Sequence, residues 1–187
     1  PLKNDPLKLV QDKRTITISG KGFLVAFDKT TGFLSQLKQN GIELLADSGA
    51  PKLHLWRAAH RNDDDWAFRV WERYGITTLA YTPVDMMFEA VDKTTVKVVS
   101  TTKADGKEGF GVYHTATYLI KGDGTIRVDN KVDFVGFRVN LGRIGVRMLL
   151  NKQLDRMTFF GRGPFENYSD RKAAAEVGVY DMAVKEQ

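Results

Sequence analysis

The sequence predicts an all-β fold, an antiparallel β-sandwich with one short helix, and three observations predict it. Apolar and polar residues alternate with a period of two along most of the chain, the pattern of strands with one buried face. Turn residues, chiefly glycine and aspartate, recur between the alternating runs, as antiparallel hairpins require. A single segment carries a helical period instead. Length predicts one domain over residues 1–187. With 42% hydrophobic and 27% charged residues the chain falls among folded globular proteins, and disorder is excluded.

The elements follow in order. "RTITISG" (14–20) sets Ile16 and Ile18 on one face against Thr15, Thr17 and Ser19 on the other. "FLVAFDKTTGFLSQL" (23–37) reads as strand, turn, strand, with Asp28 to Gly32 supplying turn residues and a glycine able to take positive φ. "GIELLA" (41–46) continues the meander. "TVKVVSTTK" (95–103) alternates Val96, Val98 and Ser100 with Lys97, Val99 and Thr101, and "TTKADGKEG" (101–109) reads as an exposed loop. "VYHTATYLIKGDGTIRVDNKVDF" (112–134) is the clearest hairpin, turning at Gly122-Asp123-Gly124, and "RIGVRMLL" (143–150) and "MTFFGRG" (157–163) add two strands. The helix is "DDDWAFRVWERYG" (63–75): Trp66, Val70, Trp71 and Tyr74 share a face, the aspartates suit N-capping, and Gly75 ends it.

Composition then narrows the function. There is no cysteine, so disulfides, thiol catalysis and cysteine-bound metal are excluded. The net charge of +5 is spread along the chain and interleaved with acids, so no nucleic-acid partner is expected. No apolar run approaches the ~20 residues of a membrane span and no leader is visible, so no membrane association is expected. The compartment is cytoplasmic or periplasmic. The chain begins at Pro1 and not at methionine, the start expected of an excerpt or of a processed chain, either of which would leave out a leader or a preceding domain.

Two stretches concentrate polar chemistry. "LWRAAHRNDDDW" (55–66) gathers Arg57, His60, Arg61, Asn62, Asp63, Asp64 and Asp65 beside Trp56 and Trp66. A solvated loop that caps a helix would look like this, with Asp64 or Asp65 as the cap. So would a sugar-facing loop, which sets aromatic faces against the C–H surface of a ring and planar polar groups against its hydroxyls. "FFGRGPFENYSDR" (159–171) is either a tight turn tied down by an Asp-Arg pair or a rim that projects Glu166, Asn167 and Arg171 toward a ligand. The three histidines are not at metal-ligand spacing. His54 and His114 fall inside strands and read as structural, whereas His60 lies in a loop.

The same two stretches carry a resemblance. "GRGPFENYSDR" resembles the Gly-x-Gly-Pro-x-Glu-Asn-Tyr-Pro-Asp-Arg signature of the small-chain, or C-terminal, domain of bacterial β-galactosidases of glycoside hydrolase family 2. "LWRAAHRNDDD" resembles the Arg-Ala-Pro-x-Asp-Asn-Asp motif of that domain, and "FDKTTGFLSQL" looks like its opening hairpin. The resemblance implies a galactose-mutarotase-like supersandwich, here an incomplete one because the family domain continues beyond the position of Gln187. It implies an accessory role: loops that reach over the mouth of a separate catalytic TIM barrel carrying both catalytic glutamates, and contacts that help the enzyme assemble. This chain would hold no catalytic residue, and any Mg or Na requirement would belong to the parent enzyme, expected as a homo-oligomer acting on β-galactosides such as lactose.

On that resemblance the substrate-binding candidates are Arg57, His60, Asn62, Asp63, Asp64, Glu166, Asn167 and Arg171. Three positions depart from the motifs: Ala59 and Ser169 stand where the family has proline, and Arg61 where it has an aspartate. Arg61 replaces an acceptor with an obligate cation, which points to an altered glycoside preference. Two other readings compete. A mutarotase-like aldose epimerase would use Glu166 with His60 or His114 for acid-base ring opening, and a non-catalytic carbohydrate-binding module would need neither.

Overall fold

The structure, a computed structural model, describes residues 4–61, 63, 67–165, 167–168 and 172–186. The chain divides into two compact units between Leu149 and Leu150, and each is described by itself.

The first unit is an antiparallel sandwich. Its first sheet has five strands in sequence order, β1 (Lys8–Gln11), β2 (Thr15–Gly20), β3 (Phe23–Asp28), β4 (Phe33–Gln39) and β5 (Ile42–Glu43). After β6 (Lys52–His54) and the helical segment comes a second sheet of four long strands, β7 (Ala80–Asp92), β8 (Thr95–Asp105), β9 (Gly111–Lys121) and β10 (Ile126–Val135), in the order β10-β9-β8-β7. A short ladder pairs β6 with β11 (Gly145–Arg147).

The period-two pattern decides what faces inward. Ile16, Ile18, Val25, Phe27 and Leu34 of the first sheet meet Val96, Val98, Ala116, Tyr118 and Ile120 of the second in one apolar cluster. Phe27 and Tyr118 meet edge-to-face at 4.9 Å, an arrangement that suits the opposed charge of ring edge and ring face. The β3–β4 turn is fastened across the sandwich: the Asp28 carboxylate accepts from the Thr30 amide at 2.7 Å, and the carbonyl of Gly32, at φ +76°, accepts from Ser100 Oγ at 2.5 Å. A Cβ on Gly32 would stand 2.8 Å from Thr102 Cγ2, so close approach as well as positive φ requires glycine there.

The four-stranded sheet is longer than the five-stranded one needs, and its other end carries a second cluster. Ala104, Phe110 and Val112 pack there against Leu53, Leu55, Ala67, Trp71 and Ile76. On this inner face His114 is buried, with Nε2 2.8 Å from Asn130 Oδ1.

Several expected strands are found where alternation placed them, and four differences are informative. "TTKADGKEG" is not all loop: Thr101–Asp105 finish β8, with Thr102 and Ala104 buried by the second cluster's end of the sheet. The long strand β7 escapes sequence reading because Pro83 interrupts it and the register slips beside it. Proline is tolerated there because β7 is an edge strand with no ladder to donate to on one side. The helix is shorter than the motif and rotated. It is α1 (Arg69–Arg73), with Ala67 and Trp71 buried four residues apart while Val70 is exposed. Among the described residues no side chain caps it; the Asp63 carbonyl accepts from the Ala67 and Phe68 amides, both at 3.0 Å. Asp64, Asp65 and Trp66 lie outside the described residues. Gly75, at φ +67°, does end it.

The second unit is a hairpin of β12 (Arg156–Gly163) and β13 (Glu176–Ala183). Phe159 and Tyr180 pair across it at 5.3 Å, and Arg156 bridges to Asp181, which also accepts from Thr158 Oγ1 at 2.9 Å. No helix among the described residues is long and apolar enough to cross a membrane.

Two outcomes test this packing. Replacing Phe27 by alanine removes the ring that Tyr118 meets, and urea denaturation of the variant should show a loss of about 3–5 kcal/mol. For His114, burial holds the imidazole below its ordinary value of 6.5, against a smaller opposing effect of Asn130. The unfolded chain therefore takes up a proton near pH 6.5 that the folded chain resists. This contribution leaves stability flat above that pH and lowers it as pH falls toward the depressed folded value. Stability curves of wild type and His114→Gln should keep a constant offset above about pH 7, and below about pH 6 the wild type should lose stability relative to the variant; an offset that stays constant down to about pH 4 would contradict the assignment.

Candidate functional site

The Arg57-to-Trp71 segment folds around one carboxylate. Asp63 is 5% exposed, and a buried carboxylate persists only when its lone pairs are satisfied. Arg57 Nη2 lies 3.2 Å from Oδ1 and 3.0 Å from Oδ2. The His60 amide donates to Oδ2 at 3.4 Å, and His60 Nε2 lies 3.3 Å from the same oxygen. The backbone closes the knot: the Asp63 amide donates to the His60 carbonyl at 2.7 Å. One residue thus fixes a guanidinium, an imidazole and the entry to α1.

Trp71 supports this loop from beneath. Its Nε1 donates to the Asn140 carbonyl at 2.8 Å. A Cβ on Gly142 would stand 2.6 Å from the Trp71 ring and 3.3 Å from Arg57 Cγ. Trp71 and Arg57 therefore lean on one stretch of backbone, and Gly142 is the residue that lets them. Nothing in the local sequence announces Asn140 and Gly142, which reach the loop from about seventy residues away. Beside it, Trp56 packs on the second cluster and stands 5.5 Å from the His54 ring.

Of the expected site residues, Arg57, His60 and Asp63 are brought together. Asn62, Asp64, Glu166 and Arg171 lie outside the described residues. Asn167 belongs to the second unit, where its Oδ1 is buried with no hydrogen-bond partner. That unit holds an open cavity of about 710 Å³ lined by Phe159, Arg162, Pro164, Phe165, Asn167 and Glu186 among others. Arg162 ties the loop between β12 and β13, donating through Nη1 to the carbonyls of Lys172 at 2.9 Å and Ala175 at 2.8 Å. Arg61 is exposed. His114 is buried on the inner face of the four-stranded sheet, its Nε2 2.8 Å from Oδ1 of Asn130 on the edge strand β10. Among the described residues no three His, Asp or Glu side chains gather as a metal site.

Residues 19–187 match the family model of the beta galactosidase small chain. The chain belongs to that family. Its relatives include β-galactosidases of Priestia megaterium, 29% identical over 97% of this chain, and of Lactobacillus delbrueckii subsp. bulgaricus, 30% identical over 95%. The β-galactosidase of Kluyveromyces lactis is 24% identical over 93% of the chain. This small chain spans 17% of the length of each of these three relatives. It therefore corresponds to a small part of each of those enzymes.

Removing the organising carboxylate should release the loop. Asp63→Ala removes the carboxylate that Arg57 and His60 share, and a broken, mostly buried pair costs about 3 kcal/mol in comparable settings. Hydrogen exchange should speed up at the Ala67 and Phe68 amides while the β8 and β9 amides keep their protection. Unchanged exchange at both amides would mean that the backbone holds the loop without the carboxylate.

Proposed function

We propose that this chain is the accessory small-chain part of a retaining β-galactosidase, contributing loops to the rim of the sugar site and to assembly. The observation that carries the proposal is one of extent: nearly the whole chain aligns with less than a fifth of each β-galactosidase relative. A retaining glycosidase needs two carboxyl groups ~5–5.5 Å apart, one protonating the leaving oxygen and the other forming the glycosyl-enzyme intermediate. On this reading that pair lies in a separate catalytic domain, as does any bound Mg or Na.

The rim role draws on the Arg57–Asp63–His60 knot. A loop set by charge-assisted hydrogen bonds keeps its polar groups at fixed positions, and a fixed donor array loses little entropy on meeting a sugar hydroxyl. Arg61, exposed at the tip, offers only donors, which favours substrates with an acceptor at that point. The burial of His114 favours this reading over the epimerase, whose acid-base chemistry would call on His60 or His114 with Glu166.

Isothermal titration with galactose and polarimetry on the same sample test the proposal. The expected result is millimolar binding, weakened about tenfold in Asp63→Asn through loss of charge-assisted contacts, with neither hydrolysis of an aryl β-galactoside nor faster mutarotation. Accelerated mutarotation would replace this reading with the epimerase. Binding that Asp63→Asn leaves intact would move the sugar contact away from this loop.

A further inference from the structure

The β6–β11 ladder carries an arrangement that a solvated sheet avoids. Arg147 stands directly opposite Lys52, and Gly145 opposite His54. Residues opposite one another share a face with Cβ atoms ~4.5–5.5 Å apart, and like charges so placed repel. His54 adds to the same face, two residues from Lys52. Its imidazole is held below the ordinary histidine value by burial first and then by Arg147 and Arg143.

These groups border one cavity. It measures about 240 Å³, and Lys52, His54, Trp56, Tyr81, Thr78 and Arg147 line it. Among the described residues that line it there is no aspartate or glutamate. Lys52 Nζ lies over the rings of Phe33 at 5.2 Å and Tyr81 at 5.5 Å, and the Tyr81 hydroxyl donates to the Leu53 carbonyl at 2.6 Å. The ammonium is thus positioned by aromatic faces and not by a carboxylate. Elsewhere this chain pairs comparable cations with acids, as in Arg14–Asp28, Lys103–Asp105, Arg127–Asp129 and Lys131–Asp133. Among the described residues, no such bridge joins Lys52, Arg143 or Arg147 to a carboxylate.

We propose that this cavity binds a small oxyanion, phosphate or carboxylate, either free or carried on a sugar. Arg147 and Lys52 supply charged donors from opposite strands, and the Thr78 hydroxyl a neutral one. The Trp56 and Tyr81 rings provide apolar walls of the kind a sugar ring can lie against. An oxyanion would turn the repulsion between the paired strands into two attractions to one ligand. The cavity adjoins the Asp63 loop through Trp56 but takes its cations from other residues, and the proposal does not depend on the sugar-rim reading.

The test is isothermal titration of the 187-residue chain at constant ionic strength with inorganic phosphate, galactose 6-phosphate and galactose. Saturable phosphate binding is expected, weakened about tenfold or more in Arg147→Gln and in Lys52→Gln, the loss of one charge-assisted hydrogen bond each. Arg127→Gln, which removes an exposed cation already paired with Asp129, should leave it unchanged. Galactose 6-phosphate binding at least about tenfold tighter than phosphate would identify a sugar-borne anion, and equal affinity a free one. Thermal denaturation in chloride alone keeps the variants interpretable: Arg147→Gln should melt no lower than wild type, because it relieves a like-charge pair. The proposal is overturned if neither anion binds saturably, or if Arg127→Gln weakens binding as much as Arg147→Gln. Galactose binding, which the Asp63 loop would govern, should be indifferent to Arg147→Gln, so either reading can fail without the other.

Discussion

The inner face of the four-stranded sheet is the constraint on which the first unit depends. Strands of 10 to 13 residues present more apolar surface than the five-stranded sheet covers. One end of that face is closed by the sandwich partner and the other by Leu53, Leu55, Trp71 and their neighbours. Burial of large apolar side chains contributes roughly 1.5–3 kcal/mol each, so both ends are strongly driven. The second closure uses irregular chain, and irregular chain can display polar groups at positions a sheet would not permit. The Asp63 loop lies where a long sheet is covered by something other than another sheet.

Irregular chain brings its own difficulty, since its backbone groups have no ladder to join. Asp63 resolves this at one point. Its carboxylate serves Arg57 and His60 while its carbonyl serves the Ala67 and Phe68 amides. A buried ion pair of this kind is a weak source of net stability, because desolvation offsets much of the attraction. Its effect is positional, fixing one loop geometry among many. In the second unit Arg162 plays a comparable part by binding two carbonyls of the loop between β12 and β13.

Charge is distributed in two distinct manners. On the outer face of the four-stranded sheet, cations and acids alternate along strands and neutralise one another, as in Arg127–Asp129 and Lys131–Asp133. At the β6–β11 ladder, Lys52 and Arg147 meet across strands, with Lys52 Nζ over the Phe33 and Tyr81 rings and, among the described residues, no salt bridge from either cation to an acid. The net charge of the chain, evenly spread in sequence, therefore conceals a local concentration in space. Composition reports totals, whereas electrostatic function depends on clustering.

The sequence by itself determined the elements whose information is local. Ile16, Ile18, Val96 and Val98 fixed their strand faces through a period of two, Gly32 and Gly75 fixed their turns through positive φ, and the two polar motifs marked the family to which the chain belongs. Within the candidate site, Arg57, His60 and Asp63 were legible because they lie within six positions of one another along the chain. Tertiary structure decided the rest. It turned Val70 outward and Trp71 inward, made a strand of a proline-bearing segment by placing it at an edge, and extended β8 through residues that resemble a loop. It also brought Asn140 and Gly142 beneath Trp71, and Arg147 opposite Lys52. The physical reason is the same in each case: pattern and propensity act over a few residues, while burial and pairing depend on partners that only the folded chain supplies.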